Sequence, residues 1–67
     1  MSDLEQAKEM ILNLKDRGFS AVDICKAITD GFPDVECSTL KVMDAEVGIL
    51  TVSVMDGRTR VRAVFFI

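Results

Sequence analysis

The last third of the chain decides the fold: residues 47–67 run VGILTVSVMDGRTRVRAVFFI. Apolar and polar residues alternate on both sides of Asp56-Gly57, and an Asp-Gly pair between two such segments is a strong signal for a β-hairpin. A type I′ turn centred on this pair would place Val52 opposite Val61. The sequence therefore predicts two antiparallel strands joined by a two-residue turn.

The alternation gives this hairpin two faces of different chemistry. The core face is entirely apolar and consists of Leu50, Val52, Val54, Val61, Ala63, Phe65 and Ile67. The outer face is polar and basic near the turn, with Thr51, Ser53, Arg58, Arg60 and Arg62, and apolar at the far end, with Val47, Ile49, Val64 and Phe66. An outer face of this mixed character indicates a surface that binds a partner.

The first part of the chain, residues 2–30, predicts two helices in immediate succession. Ser2 and Ser20 are candidate N-caps, and each is followed three residues later by an acidic residue in the capping-box position. Apolar residues then recur at helical spacing in both segments. Gly18 is expected to end the first helix in the left-handed conformation, and residues 31–33, Gly-Phe-Pro, end the second.

A shorter strand over residues 37–43 is predicted to precede the hairpin. A three-residue loop between them turns Leu40 and Val42 toward the core, whereas a two-residue loop would turn both side chains outward. Burial therefore favours the longer loop. With that loop, Lys41 joins the basic part of the outer face and Met43 joins its apolar part.

These segments predict an α+β fold, with two N-terminal helices packed on one face of a three-stranded antiparallel β-meander (α-α-β-β-β), in one domain over residues 1–67. A domain of this size buries only about 60% of its unfolded surface, so small domains often recruit disulfides, a metal or a second copy of the chain. Cys25 and Cys37 fit no disulfide framework or metal motif, and the chain has no histidine. The sequence therefore predicts no metal and no cofactor, and it favours self-association.

The sequence also predicts a protein that is not an enzyme. It contains no His, Tyr or Trp, and no glycine-rich phosphate loop or metal-ligand set is present. Cys25 lies on the buried stripe of the second helix and is expected to be a core residue. Cys37 is predicted on the outer face near Ser53 and Arg58, where its thiol could react, although an inward-pointing Cys25 would leave it without a resolving partner.

The net charge of -3 conceals a segregation of charge. Three of the eight basic residues lie within residues 58–62, which leaves five basic residues against all eleven acidic ones elsewhere. This balance argues against a general nucleic-acid binder. The acidic start of the chain does not resemble a signal peptide, and its longest apolar run, residues 63–67, is far shorter than the ~20 residues of a membrane span. We therefore expect a cytoplasmic location and no membrane partner.

Two candidate binding surfaces follow. The basic surface consists of Lys41, Arg58, Arg60 and Arg62, and the apolar surface consists of Met43, Val47, Ile49, Val64 and Phe66. Arginine binds carboxylate and phosphate in bidentate fashion, so the basic surface could contact an acidic protein or a nucleic-acid backbone; charges on an edge strand also prevent aggregation, and that interpretation stays open. The apolar surface predicts an interface, with a two-fold homodimer as the default.

The predicted function is that of a small regulatory or adaptor protein that binds a partner protein and itself. The alternative is a nucleic-acid-binding regulator that uses the basic hairpin, or a winged helix with residues 20–30 as its recognition helix. That helix would present Asp23 and Asp30 to the polyanion against a single Lys26. Because phosphate contacts dominate affinity for DNA, this balance favours a protein partner.

Overall fold

The computed structural model describes residues 3–67, so the predicted cap at Ser2 lies outside the described part of the chain. The elements are α1 (Asp3–Asp16), α2 (Ala21–Gly31), β1 (Val35–Val42), β2 (Ala45–Asp56) and β3 (Thr59–Phe66). The strands form one antiparallel sheet in the order β1-β2-β3, and both helices pack against β1 and β2. The predicted α-α-β-β-β fold is confirmed.

The junction between the helices forms as its sequence predicts. The hydroxyl of Ser20 accepts a hydrogen bond from the amide of Asp23 at 3.3 Å, which caps the start of α2. Gly18 has a φ of +85° just after α1. The amide of Phe19 then donates to the carbonyl of Leu14 at 3.1 Å, as in a Schellman motif. These local bonds define the four-residue connection, residues 17–20, between α1 and α2.

The core lies between the helices and the first two strands. Its fully buried large side chains are Ile11, Ile24, Ile28, Leu50 and Val52. They come from the predicted apolar stripes of both helices and from the predicted core face of β2. Full burial of each such side chain contributes roughly 1.5–3 kcal/mol. The helices are therefore held on the core face, and the outer face of the sheet stays open.

The register between β2 and β3 differs from the predicted one by two residues. Val52 pairs with Ala63 rather than with Val61. A type I′ turn centred on Asp56-Gly57 would need a positive φ at both residues, whereas only Gly57, at +64°, has one. The turn is centred one residue later, with glycine in its first central position as in a type II′ turn. Because the shift is two residues, no side chain changes face.

The turn between β1 and β2 contains two residues, and the predicted three-residue loop is wrong. Met43 and Asp44 form it with φ values of +52° and +66°, the backbone geometry of a type I′ turn. Val42 pairs with Ala45 across this turn. Leu40 and Val42 therefore face outward, with exposed fractions of 49% and 52%. The core does not need them, because β1 begins earlier than predicted and supplies buried Val35 instead.

The pairing between β1 and β2 is irregular just before this turn. Three residues of β2, residues 47–49, lie opposite the single residue Leu40. Gly48 allows this arrangement, since its φ is +72°, in a region that other residues rarely adopt. Its carbonyl accepts a hydrogen bond from the amide of Ile67 at 2.7 Å. This bond attaches Ile67, the residue just after β3, to β2.

Candidate binding surface

β3 is the least covered element of the described chain. Within residues 3–67, no Cα atom of β3 lies within 8 Å of a Cα atom in either helix. Its core-face side chains, which the sequence predicts to be core, are therefore only half-buried: Val61, Ala63 and Phe65, followed by Ile67. The prediction of their face is correct. Both helices pack over β1 and β2, however, so no helix covers the core-face side chains of β3.

The outer edge of β3 presents unpaired backbone groups. The amide of Ile67 donates to β2, and alternate residues of a strand direct their backbone groups to the same side. Residues with even numbers in β3 therefore direct their N–H and C=O groups away from β2: Arg60, Arg62, Val64 and Phe66. Within residues 3–67 no strand pairs with this edge. It is a template on which another strand can form.

The opposite edge of the sheet, along β1, is partly closed by α2. The Cys25 thiol donates a hydrogen bond to the backbone carbonyl of Cys37 at 3.1 Å. Cys37 pairs with Val52, a core-face residue, so the prediction that Cys37 lies on the outer face is wrong. The cause is the changed β1–β2 register, which also brings the two cysteines together. Burial, with smaller contributions from a side-chain hydrogen bond with Cys25 and from the charge of Cys25, raises the pKa of Cys37 to about 12.

This pKa predicts slow alkylation of Cys37. The thiolate is the reactive form, so near pH 8 we expect iodoacetamide to modify Cys37 at least 100-fold more slowly in the folded protein than in urea, since an unperturbed thiol has a pKa of about 8.5. The rate should rise roughly tenfold per pH unit up to about pH 11. Mass spectrometry of the Cys25→Ser variant follows Cys37 alone and keeps the larger, burial-driven part of the shift. Equal rates in the folded and unfolded chains would contradict this placement.

Arg60 is the centre of the polar part of the outer face. Its guanidinium Nη1 lies 2.9 Å from a carboxylate oxygen of Glu36 and donates to the Ser53 hydroxyl at 3.3 Å. Glu36 is within reach of Arg60 because the β1 register places Glu36 opposite Ser53. The pair is exposed, so it contributes at most about 1 kcal/mol, but it neutralises Arg60.

The other residues of the predicted basic surface are dispersed. Arg62 faces outward opposite Ser53, and within residues 3–67 it makes no hydrogen bond or ion pair. Arg58 lies in the turn that precedes β3. Lys41 pairs with Glu46, and strand alternation places it on the face opposite Arg62, so its assignment to the basic surface is wrong. A groove of about 430 Å³ runs along the remaining outer-face polar residues, Glu36, Ser38, Thr51, Ser53, Arg60 and Arg62.

The apolar part of the outer face is larger than predicted. Ile49 pairs with Phe66, which is 70% exposed, and Val64 is also exposed. Leu40 and Val42 add two exposed apolar side chains from β1, which sequence reasoning missed because it chose the longer loop. Of the remaining predicted members, Met43 lies in the turn with 95% of its surface exposed, and Val47 lies in the irregular part of β2.

A second concave region lies at the opposite end of the sheet from the Met43 turn. Its volume is about 640 Å³, and it opens to solvent between the start of α1 and the β2–β3 turn. Apolar Leu4, Val54 and Val61 and the acidic residues Asp3, Glu5, Asp34 and Asp56 contribute to its lining. Within residues 3–67, no group of three or more His, Cys, Asp or Glu side chains is arranged to hold a metal ion.

Comparison with known proteins does not assign this chain to a family. Neither helix of the described chain has the length and apolar character that crossing a membrane requires. No protein-family model matches the chain, and no significant match is found among curated proteins or solved structures.

Proposed function

We propose that this chain is a small, non-enzymatic regulatory or adaptor protein of the cytoplasm that binds a partner protein and forms a homodimer. The observation that carries this proposal is the β3 surface, defined as the free edge of β3 together with the exposed outer-face residues Val64 and Phe66 and the half-buried Ile49 beside them. An unpaired strand edge beside apolar side chains is the arrangement on which protein partners add a strand.

The hydrophobic part of this surface supports self-association. Phe66 is the largest exposed side chain beside the free edge, and Ile49 and Val64 lie next to it on the same face. Removing such a side chain from water contributes roughly 1.5–3 kcal/mol, and contiguous exposed apolar residues of this kind mark interfaces in small soluble domains. The half-buried core-face residues of β3 would be covered by the same contact.

The charge distribution supports a protein partner over a nucleic acid. Arg60 is neutralised by Glu36, and Arg62 is the one outer-face strand cation without an ion pair in residues 3–67. Elsewhere the chain is acidic, which repels phosphate. The groove along Arg60 and Arg62 is the one observation that favours nucleic-acid binding, and we keep that function as the second candidate.

The oligomeric state tests the first proposal. We expect sedimentation at micromolar concentration to give a mass near twice 7.4 kDa. The Phe66→Lys variant should sediment as a monomer, because it places a positive charge among the apolar side chains of the contact. Leu12→Lys is the matched control, since Leu12 is an exposed leucine on α1, away from the sheet, and this variant should remain dimeric. A monomeric wild-type protein, or a Phe66→Lys variant that stays dimeric, would contradict the proposal.

Nucleic-acid binding is tested separately by fluorescence anisotropy. Generic duplex DNA and single-stranded RNA are titrated at about 50 mM and 200 mM salt. Each phosphate contact on duplex DNA contributes about -0.9 to the slope of log binding constant against log salt concentration, so binding through phosphates weakens as salt rises. We expect no binding at either salt concentration. Tight, salt-sensitive binding that is lost in the Arg60→Glu, Arg62→Glu double variant would instead establish the second candidate.

A further inference from the structure

We infer that a second copy of this chain occupies the free edge of β3, with the two β3 strands antiparallel about a two-fold axis at Ala63 and the two sheets joined into one of six strands. This inference rests on the proposed homodimer and specifies its contact: the backbone edge of β3 rather than the open outer face. Both pairs of helices would then lie on the same side of the continuous sheet.

The free backbone groups restrict how two copies can pair. They belong to Arg60, Arg62, Val64 and Phe66, so these residues must lie opposite one another to form hydrogen bonds. An axis at Ala63 places Arg60 opposite Phe66 and Arg62 opposite Val64, and all four residues of each copy are paired. An axis at Val64 would leave Arg60 beyond the end of the other copy's β3.

The side chains exclude a further register and favour this one. An axis at Arg62 would place that arginine directly opposite its own copy, and like charges in this position destabilise a sheet. The axis at Ala63 instead places each arginine opposite an apolar side chain of the other copy. The stem of Arg62 can then cover Val64, and Phe66 lies beside the stem of Arg60, whose guanidinium stays on Glu36.

The same register completes the core face. Val61 of one copy lies opposite Phe65 of the other, and Ala63 lies opposite Ala63. These are the side chains that the helices leave half-buried. The strand is therefore complementary to itself on both faces: arginine opposite apolar residues on the outer face, and apolar residues opposite one another on the core face. This self-complementarity is why a second copy fits the edge better than an unrelated strand.

Disulfide trapping tests the register. Single cysteines are introduced into a Cys25→Ser, Cys37→Ser background and oxidised with glutathione disulfide, so that two protein thiols form one disulfide and each glutathione disulfide consumed yields two glutathione thiols. Residues at the Ala63 axis form a non-hydrogen-bonded pair with Cα atoms about 4.5 Å apart, within the range of a disulfide. The Ala63→Cys variant should therefore form a covalent dimer in most molecules at micromolar concentration.

Three variants on the same strand provide matched controls. In this register, Val61→Cys places the two thiols roughly 13 Å apart along the strands, from about 3.3 Å per residue, and should remain uncross-linked. Arg62→Cys would cross-link if the axis lay at Arg62, and Val64→Cys would cross-link if it lay at Val64. With the axis at Ala63, the Cα atoms of the two copies at each of these positions lie beyond the ~7 Å limit for a disulfide, so neither variant should cross-link. Efficient cross-linking of either one instead of Ala63→Cys would overturn the register.

A proline variant tests the edge without any cysteine. Val64→Pro removes an N–H that faces away from β2, so the β2–β3 ladder keeps its hydrogen bonds, and edge strands tolerate proline. We expect loss of the dimer with an unchanged far-UV circular dichroism spectrum. If the wild-type protein is a dimer and the Val64→Pro variant is also a dimer, the contact lies on the open outer face. The inference would then fail, whereas the proposed homodimer would stand. A monomeric wild-type protein would refute both.

Discussion

Replacing Leu50 with alanine should lower the free energy of unfolding by about 2–5 kcal/mol, the usual range for a buried leucine. Leu50 is fully buried in the central strand and packs in the cluster that includes Ile11, Ile24 and Ile28. Helices cover it on one side and strands flank it on both edges, so its neighbours cannot collapse into the space that truncation leaves. Urea denaturation followed by circular dichroism measures the loss at one fixed protein concentration, because the proposed dimerisation would make stability depend on concentration.

Leu40→Ala is the matched control for this substitution. It removes the same atoms from a leucine that is 49% exposed on the outer face, so we expect a change within about 0.5 kcal/mol. The comparison also tests the turn at Met43-Asp44. With the three-residue loop, Leu40 would lie opposite Leu50 in the core, and the two substitutions would be similarly damaging. Comparable losses would therefore contradict the β1–β2 register described above.

Gly48→Ala should lower the free energy of unfolding by about 1–3 kcal/mol, the typical penalty for a strained backbone position. Gly48 has a φ of +72°, and an added Cβ would lie 3.0 Å from the backbone carbonyl oxygen of Ile67. The same segment carries the 2.7 Å hydrogen bond between Gly48 and Ile67. Relieving the contact would shift the chain after β3, so the substitution should also reduce protection of the Ile67 amide in hydrogen exchange.

Gly57→Ala separates backbone strain from this contact. Gly57 has a similar φ of +64°, but a Cβ added there meets no atom within 4 Å. Its cost should therefore be that of the positive-φ backbone alone, about 1–3 kcal/mol, and the Ile67 amide should keep its protection. If the two alanine variants lost equal stability and equal protection, the close approach of Ile67 to Gly48 would not constrain the structure.

Local patterns in the amino-acid sequence were sufficient to predict the order of the elements, the α2 cap and the faces of strand residues 50–54 and 60–66. Capping depends on residues within one turn of helix, as at Ser20 and Gly18, and strand alternation depends only on parity. A register error of two residues preserves parity. The predicted pairing of Val52 with Val61 was therefore wrong without changing which face either residue occupies.

Tertiary structure alone decided the features that shape the candidate binding surface. The choice between the two-residue turn at Met43-Asp44 and a longer loop changes the pairing of the whole β1–β2 ladder, including the irregular segment at Gly48. The relative stability of these two pairings depends on contacts along both strands, so the sequence of the turn alone does not predict it. Its outcome exposes Leu40 and removes Lys41 from the basic surface. The lateral position of the helices is likewise set by packing over β1 and β2, which is a property of the assembled core. That packing leaves β3 with an open edge.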